Sequence, residues 1–194
     1  GPSGLLLASS LSRLGVTVGI TDPALNSPWP NNYGVWMDEA EHFGFDKECD
    51  LIWAEVGVIF DEDTPELILD RPYGRVDRKR LKARLVEECS ESEQVKFAAA
   101  RAVKLEHFDD APSTVTLKTS RSSKDKAGGE FKVSATLVID CSGFTREFVE
   151  HDTPFDPGYQ VTYGARVRVE SHPYEMNRMV LMDYSERHLY GDEE

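Results

Sequence analysis

Leu5, Leu6, Ala8, Leu11 and Leu14 recur at i, i+3, i+4 and i+7 spacing, and Gly15 follows as a C-cap. The pattern predicts a buried helix from about Gly4 to Leu14, then a strand over Val16–Thr21. DPALNSPWPNNYG, from Asp22 to Gly34, is dense in Pro, Asn and Gly and reads as a long irregular loop. Val35, Trp36, Ala40 and Phe43 return to helix-like spacing, which predicts a short helix. EVGVIF and ELILD alternate around an acidic DEDTP turn, giving a hairpin from Glu55 to Asp70. Asp77 is placed to cap a helix running to about Cys89, and VKFAAA supplies a short strand after it.

RAVKLEHF, STVTLKT and FKVSATLVID are three further β-type runs, and the polar SRSSKDKAGGE between the last two marks the exposed tip of an antiparallel connection. Past Gly143 the texture turns to aromatics and prolines, then to strand-like YQVTYGARVRVES and MVLMDY. The order is helix, strand, hairpin, helix, strand, three-stranded excursion, strand, second sheet. A doubly wound α/β nucleotide domain, interrupted by a meander and a separate sheet, fits that order.

This reading gives several residues a chemical meaning. Gly1 and Gly4 take the places of the second and third glycines of G-x-G-x-x-G, where the backbone approaches a pyrophosphate and a helix N-terminus offers free N–H groups. Asp22 ends the next strand near the offset at which an acid accepts a ribose hydroxyl; the alternative is a turn aspartate before Pro23. Arg78 shares a helix face with Leu81, Leu85 and Cys89, so it either finds an anionic partner or packs its stem and extends its head to water. Asp140 and Gly143 close the apolar run LVID, at the carboxyl end of a strand where such folds bind ligands. Trp29, Tyr33 and Trp36 line an apolar cavity or pack their own loop down.

Charge narrows the picture. A formal net charge of −13 over 194 residues disfavours nucleic acid, and the basic residues cluster once, between Arg71 and Arg84. Three widely spaced cysteines and the lack of an Asn-x-Ser/Thr acceptor predict free, mostly buried thiols in a reducing compartment. The five histidines show no metal-ligand spacing and no Cys-x-x-Cys occurs, so no metal site is expected. No stretch reaches the roughly 18–20 apolar residues of a spanning helix.

At WPNNYGVWMDE, RPYGRVDRKRLK, IDCSGFTR, PGYQVTYG and MVLMDY the sequence closely resembles the plant and algal type of lycopene cyclase, a family of flavoproteins. The matches run in family order from Gly1 to about Leu189, and PNNYGVW and RPYGRV are not generic nucleotide-fold patterns. RPYGRV and GYQV look more like the β-cyclases, MDY more like the ε type, and the balance favours β. The resemblance implies bound FAD in its reduced form, with NADPH as a candidate electron source. It also implies conversion of the linear ends of lycopene, or another linear carotenoid, into β-ionone rings without net redox change. A lycopene ε-cyclase, a related xanthophyll end-group cyclase and a redox flavoprotein of the hydroxylase or reductase class are the alternatives. The expected location is the plastid, peripheral on its membrane, among other carotenoid-pathway enzymes.

By position, Gly1, Gly4, Asp22, Arg78, Asp140 and Gly143 match the family's FAD-contacting motifs. Trp29, Asn31, Asn32, Tyr33 and Trp36 lie in or beside a segment that the family places close to flavin and substrate. The resemblance assigns 1–54 and 71–154 to a Rossmann-like FAD-binding domain with an inserted β-meander, and 55–70 and 155–194 to a second, mainly β substrate domain. The first strand and first glycine of the motif are missing, and no transit peptide is visible. The acidic family segment credited with the essential carboxylate is expected beyond Glu194, so the sequence is expected to be an inactive fragment and no catalytic acid is assigned; Asp183 is either a charge in the substrate domain or a surface carboxylate.

Overall fold

Pro2 opens the first helix where its missing N–H leaves no hydrogen bond unmade. Gly15 closes it: at φ 78° this residue donates to Ser12 O (3.0 Å) while Val16 N reaches back to Leu11 O (3.1 Å), a Schellman termination. The computed structural model describes residues 1–119, 129–145, 147–154, 158–159, 161, 163–165, 167–172 and 174–185. Its elements begin with α1 (Pro2–Arg13), β1 (Val18–Thr21), β2 (Gly34–Trp36), α2 (Met37–His42), β3 (Cys49–Trp53), β4 (Glu55–Ile59), β5 (Leu67–Leu69) and β6 (Tyr73–Val76). They continue with α3 (Arg78–Glu91), β7 (Val95–Ala98), β8 (Ala100–Glu106), β9 (Ser113–Thr119), β10 (Glu130–Ala135) and β11 (Arg178–Asp183).

The chain divides into two compact units, Gly1–Trp29 with Lys82–Pro157, and Pro30–Leu81 with Gly158–Glu194. In the first, β1 runs parallel to β7 from Val18↔Val95 to Thr21↔Ala98. Leu5 and Ala8 of α1 and Leu85 and Cys89 of α3 are buried, and the Cys89 thiol donates to Leu5 O across 3.6 Å. Burial pushes that thiol's pKa up, which keeps it protonated. The antiparallel sheet β10-β9-β8 packs Val115 and Leu117 with Ala100, and Val138 lies against this cluster. The predicted strand FKVSATLVID therefore stops early. Ala135 pairs with Ser113, the first residue of β9, so the ladder runs out there and Thr136–Asp140 joins no sheet. The predicted polar tip lies almost entirely outside the described residues.

The second unit holds two three-stranded sheets, β2-β6-β3 and β11-β4-β5. The expected hairpin is β4 against β5, with β11 added in parallel on the other side of β4. Arg178 of β11 bonds Glu55 (3.0 Å) and Glu66 (3.4 Å) over Gly57, where a Cβ would overlap the Glu66 carboxylate. The sheet β2-β6-β3 corrects the sequence reading, which put Val35 and Trp36 in a helix and left 49–53 and 73–76 without strands. Its strands have three to five residues, too short for alternation to show, and both β2 and β3 pair with β6. This pairing also groups residues 30–54 with 55–81. YQVTYGARVRVES forms no strand among the described residues; Val161, Tyr163 and Val167 are 83%, 95% and 73% exposed with no partner ladder.

The joint between α1 and α3 rests on Glu88. Its carboxylate accepts the Ser9 hydroxyl (2.6 Å), Arg13 Nη2 (2.8 Å) and Arg84 Nη1 (2.6 Å). Burial pushes its pKa up, but the Ser9 hydroxyl and the two guanidinium groups together outweigh burial, so Glu88 titrates below its ordinary 4.5. Because the folded value is depressed, the stabilisation is complete above that ordinary value and is lost as pH falls through the folded one. Glu88→Gln is expected to lower unfolding free energy by about 1–2 kcal/mol at neutral pH. The gap from wild type should close under acid, as read by urea denaturation across a pH series.

Candidate functional site

The α1 N-terminus carries no side-chain cap and no acid in its first turn, so its leading N–H groups keep their donor capacity and partial positive charge. Two other segments of the same unit meet it. Asp22, directly after β1, has its Oδ2 3.8 Å from the Gly1 nitrogen, while its Oδ1 accepts Ala24 N (2.7 Å). On the other side Gly4 abuts Cys141: a Cβ on Gly4 would stand 3.3 Å from the Cys141 Cβ and 3.7 Å from its Sγ. Gly4 thus serves close packing of the helix against the segment after β10, which is the structural duty of a third motif glycine. A cleft of about 470 Å³ opens here, lined by Ser3, Asp140, Cys141, Gly143 and Val149.

Asp140 shapes the far wall of this cleft. Its Oδ1 accepts Ser142 N (2.7 Å) and its Oδ2 accepts Phe148 N (3.2 Å), so the side chain closes the turn that presents Gly143. The Ser142 hydroxyl first, and then the amides of Ser142 and Phe148, hold the Asp140 carboxyl below the usual aspartate range against the opposing effect of burial. Gly143 has φ 75°, a backbone that a side chain strains, and no atom lies within 4 Å of the position a Cβ would take. Gly1 is similarly open. Cys141 is exposed, a correction to the expectation of mostly buried thiols, because it sits on the cleft rim.

Gly1, Gly4, Asp22, Asp140 and Gly143 therefore come together in one unit. Trp29 belongs to that unit too; it is 7% exposed, with Lys82 Nζ 5.9 Å over its ring. Arg78, Asn31, Asn32, Tyr33 and Trp36 belong to the other unit. Asp77 caps α3 as expected, accepting Lys79 N and Arg80 N. Where an anionic partner for Arg78 was one expectation, its Nη1 instead donates to Pro30 O (2.5 Å) and Asn31 O (2.9 Å). Non-helical carbonyls in an irregular loop lack amide partners, and a guanidinium satisfies two at once.

The motif glycines of the second unit have a steric explanation. Trp36 meets Tyr73 edge to face, centroids 5.0 Å apart, across β2 and β6, and the Arg71 guanidinium lies 4.5 Å over the indole. Arg71 also grips Asp38 with both nitrogens (3.2 and 2.9 Å) and Glu39 (3.0 Å). A Cβ on Gly34 would overlap the Tyr73 ring, and one on Gly74 would stand 2.6 Å from Met37 Sδ. PNNYGVW and RPYGRV are thus two halves of one aromatic-cation stack. Sequence reasoning missed this pairing, and it missed Cys141 and Lys82. The i, i+4 spacing of Arg78 and Lys82 was the available signal. Among the described residues no group of His, Cys, Asp and Glu is arranged to hold a metal ion.

The fold is shared with solved structures: the chain superposes on the flavin-dependent brominase Bmp2 with TM-score 0.52 at 17% identity, covering 74% of this chain and 36% of that one. It also superposes on p-nitrophenol 4-monooxygenase PnpA from Pseudomonas putida DLL-E4 with TM-score 0.50 at 17% identity, covering 68% and 36%. Residues 1–193 match the family model described as Lycopene cyclase protein, and the chain belongs to that family. It is 38% identical over 189 residues to the chloroplastic lycopene beta cyclase of Arabidopsis thaliana, spanning 97% of this chain and 35% of that protein. Identity to the chromoplastic capsanthin/capsorubin synthase of Citrus sinensis is 43% over 190 residues, with the same coverage. The chloroplastic neoxanthin synthase of Solanum lycopersicum is 40% identical over 189 residues. The chain spans about a third of the length of these relatives.

Filling the space beneath Tyr73 tests the stack. Gly34→Ala is expected to cost about 1–3 kcal/mol of stability. It should also weaken the near-ultraviolet circular dichroism of the Trp36–Tyr73 pair, measured on the folded variant.

Proposed function

We propose that this chain holds the nucleotide of a flavin-dependent carotenoid cyclase that forms β-ionone rings on the linear ends of lycopene. The observation that carries the reading is the meeting of the uncapped α1 N-terminus with the Asp140–Gly143 turn around one cleft, with the Asp22 carboxylate 3.8 Å from the Gly1 nitrogen. These residues suit FAD. The leading amides of α1 would receive the diphosphate, with Gly143 leaving room for it. Asp22 Oδ2 would accept a ribose hydroxyl, while Oδ1 stays committed to Ala24. Asp140 holds the turn in place, and Arg78 orders the loop at Pro30 and Asn31.

Reduced flavin, when bound, supplies a electron-rich surface that favours a cationic substrate or a proton transfer. Ring closure needs a proton delivered to a terminal double bond, shielding of the cation and loss of a proton. Trp29, Asn31, Asn32, Tyr33 and Trp36 belong to the segment proposed to lie near flavin and substrate. Trp36 has the Arg71 cation over its ring, so its contribution there is shape rather than cation binding. Residues 55–70 and 155–194, which supply β4, β5 and β11, are the chain's share of the substrate-binding domain. We place the protein in the plastid, peripheral on a membrane that stores its apolar substrate. No helix among the described residues is long and apolar enough to cross a bilayer.

The fold likeness to a brominase and a monooxygenase supports a second reading, a redox flavoenzyme using NADPH. A lycopene-accumulating bacterial host expressing the full-length protein separates the two. The cyclase reading predicts conversion of lycopene to a bicyclic product with β-ionone ends. Unchanged pigment, together with flavin-coupled NADPH consumption in the purified protein, would overturn it; ε-rings or altered xanthophyll ends would redirect the substrate assignment. Liposome flotation of the same protein is expected to carry it to the lipid fraction, and recovery in the aqueous fraction would count against peripheral docking.

A further inference from the structure

Lys82, the first residue of α3 that belongs to the nucleotide-side unit, has its ammonium turned onto the loop that follows β1. Nζ donates to Leu25 O (2.6 Å) and to Ser27 O (2.6 Å), and it stands 5.9 Å over the buried indole of Trp29. An ammonium has three N–H donors and the right geometry to use them on three such partners. The loop needs the help. Pro23 and Pro28 have no N–H to offer. One turn closes through Ser27 N on Ala24 O (2.9 Å), and Asp22 holds Ala24 N through its side chain. Within that turn the Leu25 and Ser27 carbonyls go to Lys82.

We propose that Lys82 is a positioning residue for the nucleotide: by gripping Leu25 and Ser27 and covering Trp29, it holds the loop in the shape that keeps Asp22 turned toward the α1 N-terminus. The role rests on the flavin reading above and extends it to a residue that touches neither flavin nor substrate. A lysine at this place in a charged helix face would otherwise be a solvated side chain, whose truncation changes nothing at the cleft.

The test uses the full-length protein and the variants Lys82→Met and Lys82→Arg, each checked for folding by thermal unfolding. FAD affinity is read by titration, and the accessibility of Trp29 by acrylamide quenching, its signal isolated by subtracting a Trp29→Phe background. Lys82→Met is expected to weaken FAD binding about tenfold, the worth of one charge-assisted hydrogen bond, and to expose Trp29 to the quencher. Lys82→Arg keeps a charged donor for both carbonyls and is expected to restore most of both signals. Equal FAD affinity in Lys82→Met and wild type would overturn the proposal, as would equal impairment of Met and Arg variants. If Lys82→Met does not fold, Lys82→Gln takes its place: weakened FAD binding that Lys82→Arg restores supports the role, and FAD affinity equal to wild type in Lys82→Gln overturns it. A wild type that takes up no FAD overturns the underlying reading, whereas wild-type binding that Lys82→Met leaves intact overturns only the part given to Lys82.

Discussion

The close approach of Gly4 to Cys141 decides what the cleft can be. A helix N-terminus far from any carboxyl-end turn is an ordinary solvated end; brought within van der Waals reach of the segment after β10, it becomes one wall of a concave site. Even a Cβ at Gly4 would press on Cys141, which would have to give by a few tenths of an ångström. Three of the residues that line the cleft, Ser3, Cys141 and Gly143, are small. Bulk there would fill the space the helix dipole is aimed at.

Within each unit the chain turns many of its 22 Lys and Arg side chains onto itself. The net charge is −13, yet Arg13 and Arg84 converge on Glu88, Lys82 and Arg78 bind loop carbonyls, and Arg71 caps an indole. Arg75 pairs bidentately with Asp50 and lowers that carboxyl's pKa. Exposed pairs of this sort add little stability singly. The partly buried ones have a different effect: they fix which loop shape and which helix register the surrounding backbone adopts.

Much of this was legible from order and spacing. The α1 helix, the Gly15 stop, the Asp77 cap, the β4–β5 hairpin and the meander strands follow from local pattern, because each is settled within a few residues; of the expected α1 face Leu5 and Ala8 are buried, whereas Leu14, at the helix end, is 79% exposed. What pattern could not show is pairing at a distance. β2 and β6 are too short to alternate, and their glycines make sense only once Tyr73 and Met37 are seen in the space beside them. LVID looked like a strand because it is apolar, but a run becomes a strand only where a ladder meets it, and β9 has already begun at Ser113. Arg78 was legible as a residue under constraint; that carbonyls supply the constraint was not. Asp22 stood out by its offset from the glycines and Asp140 by its place at the end of an apolar run, while Lys82 was hidden in a basic run that looked solvated.

The account stands on the cleft beside α1 being a dinucleotide site, and the most direct measurement is FAD titration of the full-length protein in its wild-type form and as Ser3→Phe. Ser3 is exposed and lines the cleft, so a phenyl ring there occupies the space without entering the core. The account predicts one FAD bound per wild-type chain and none to a Ser3→Phe protein whose circular dichroism is unchanged. Undiminished FAD binding by that variant would contradict it.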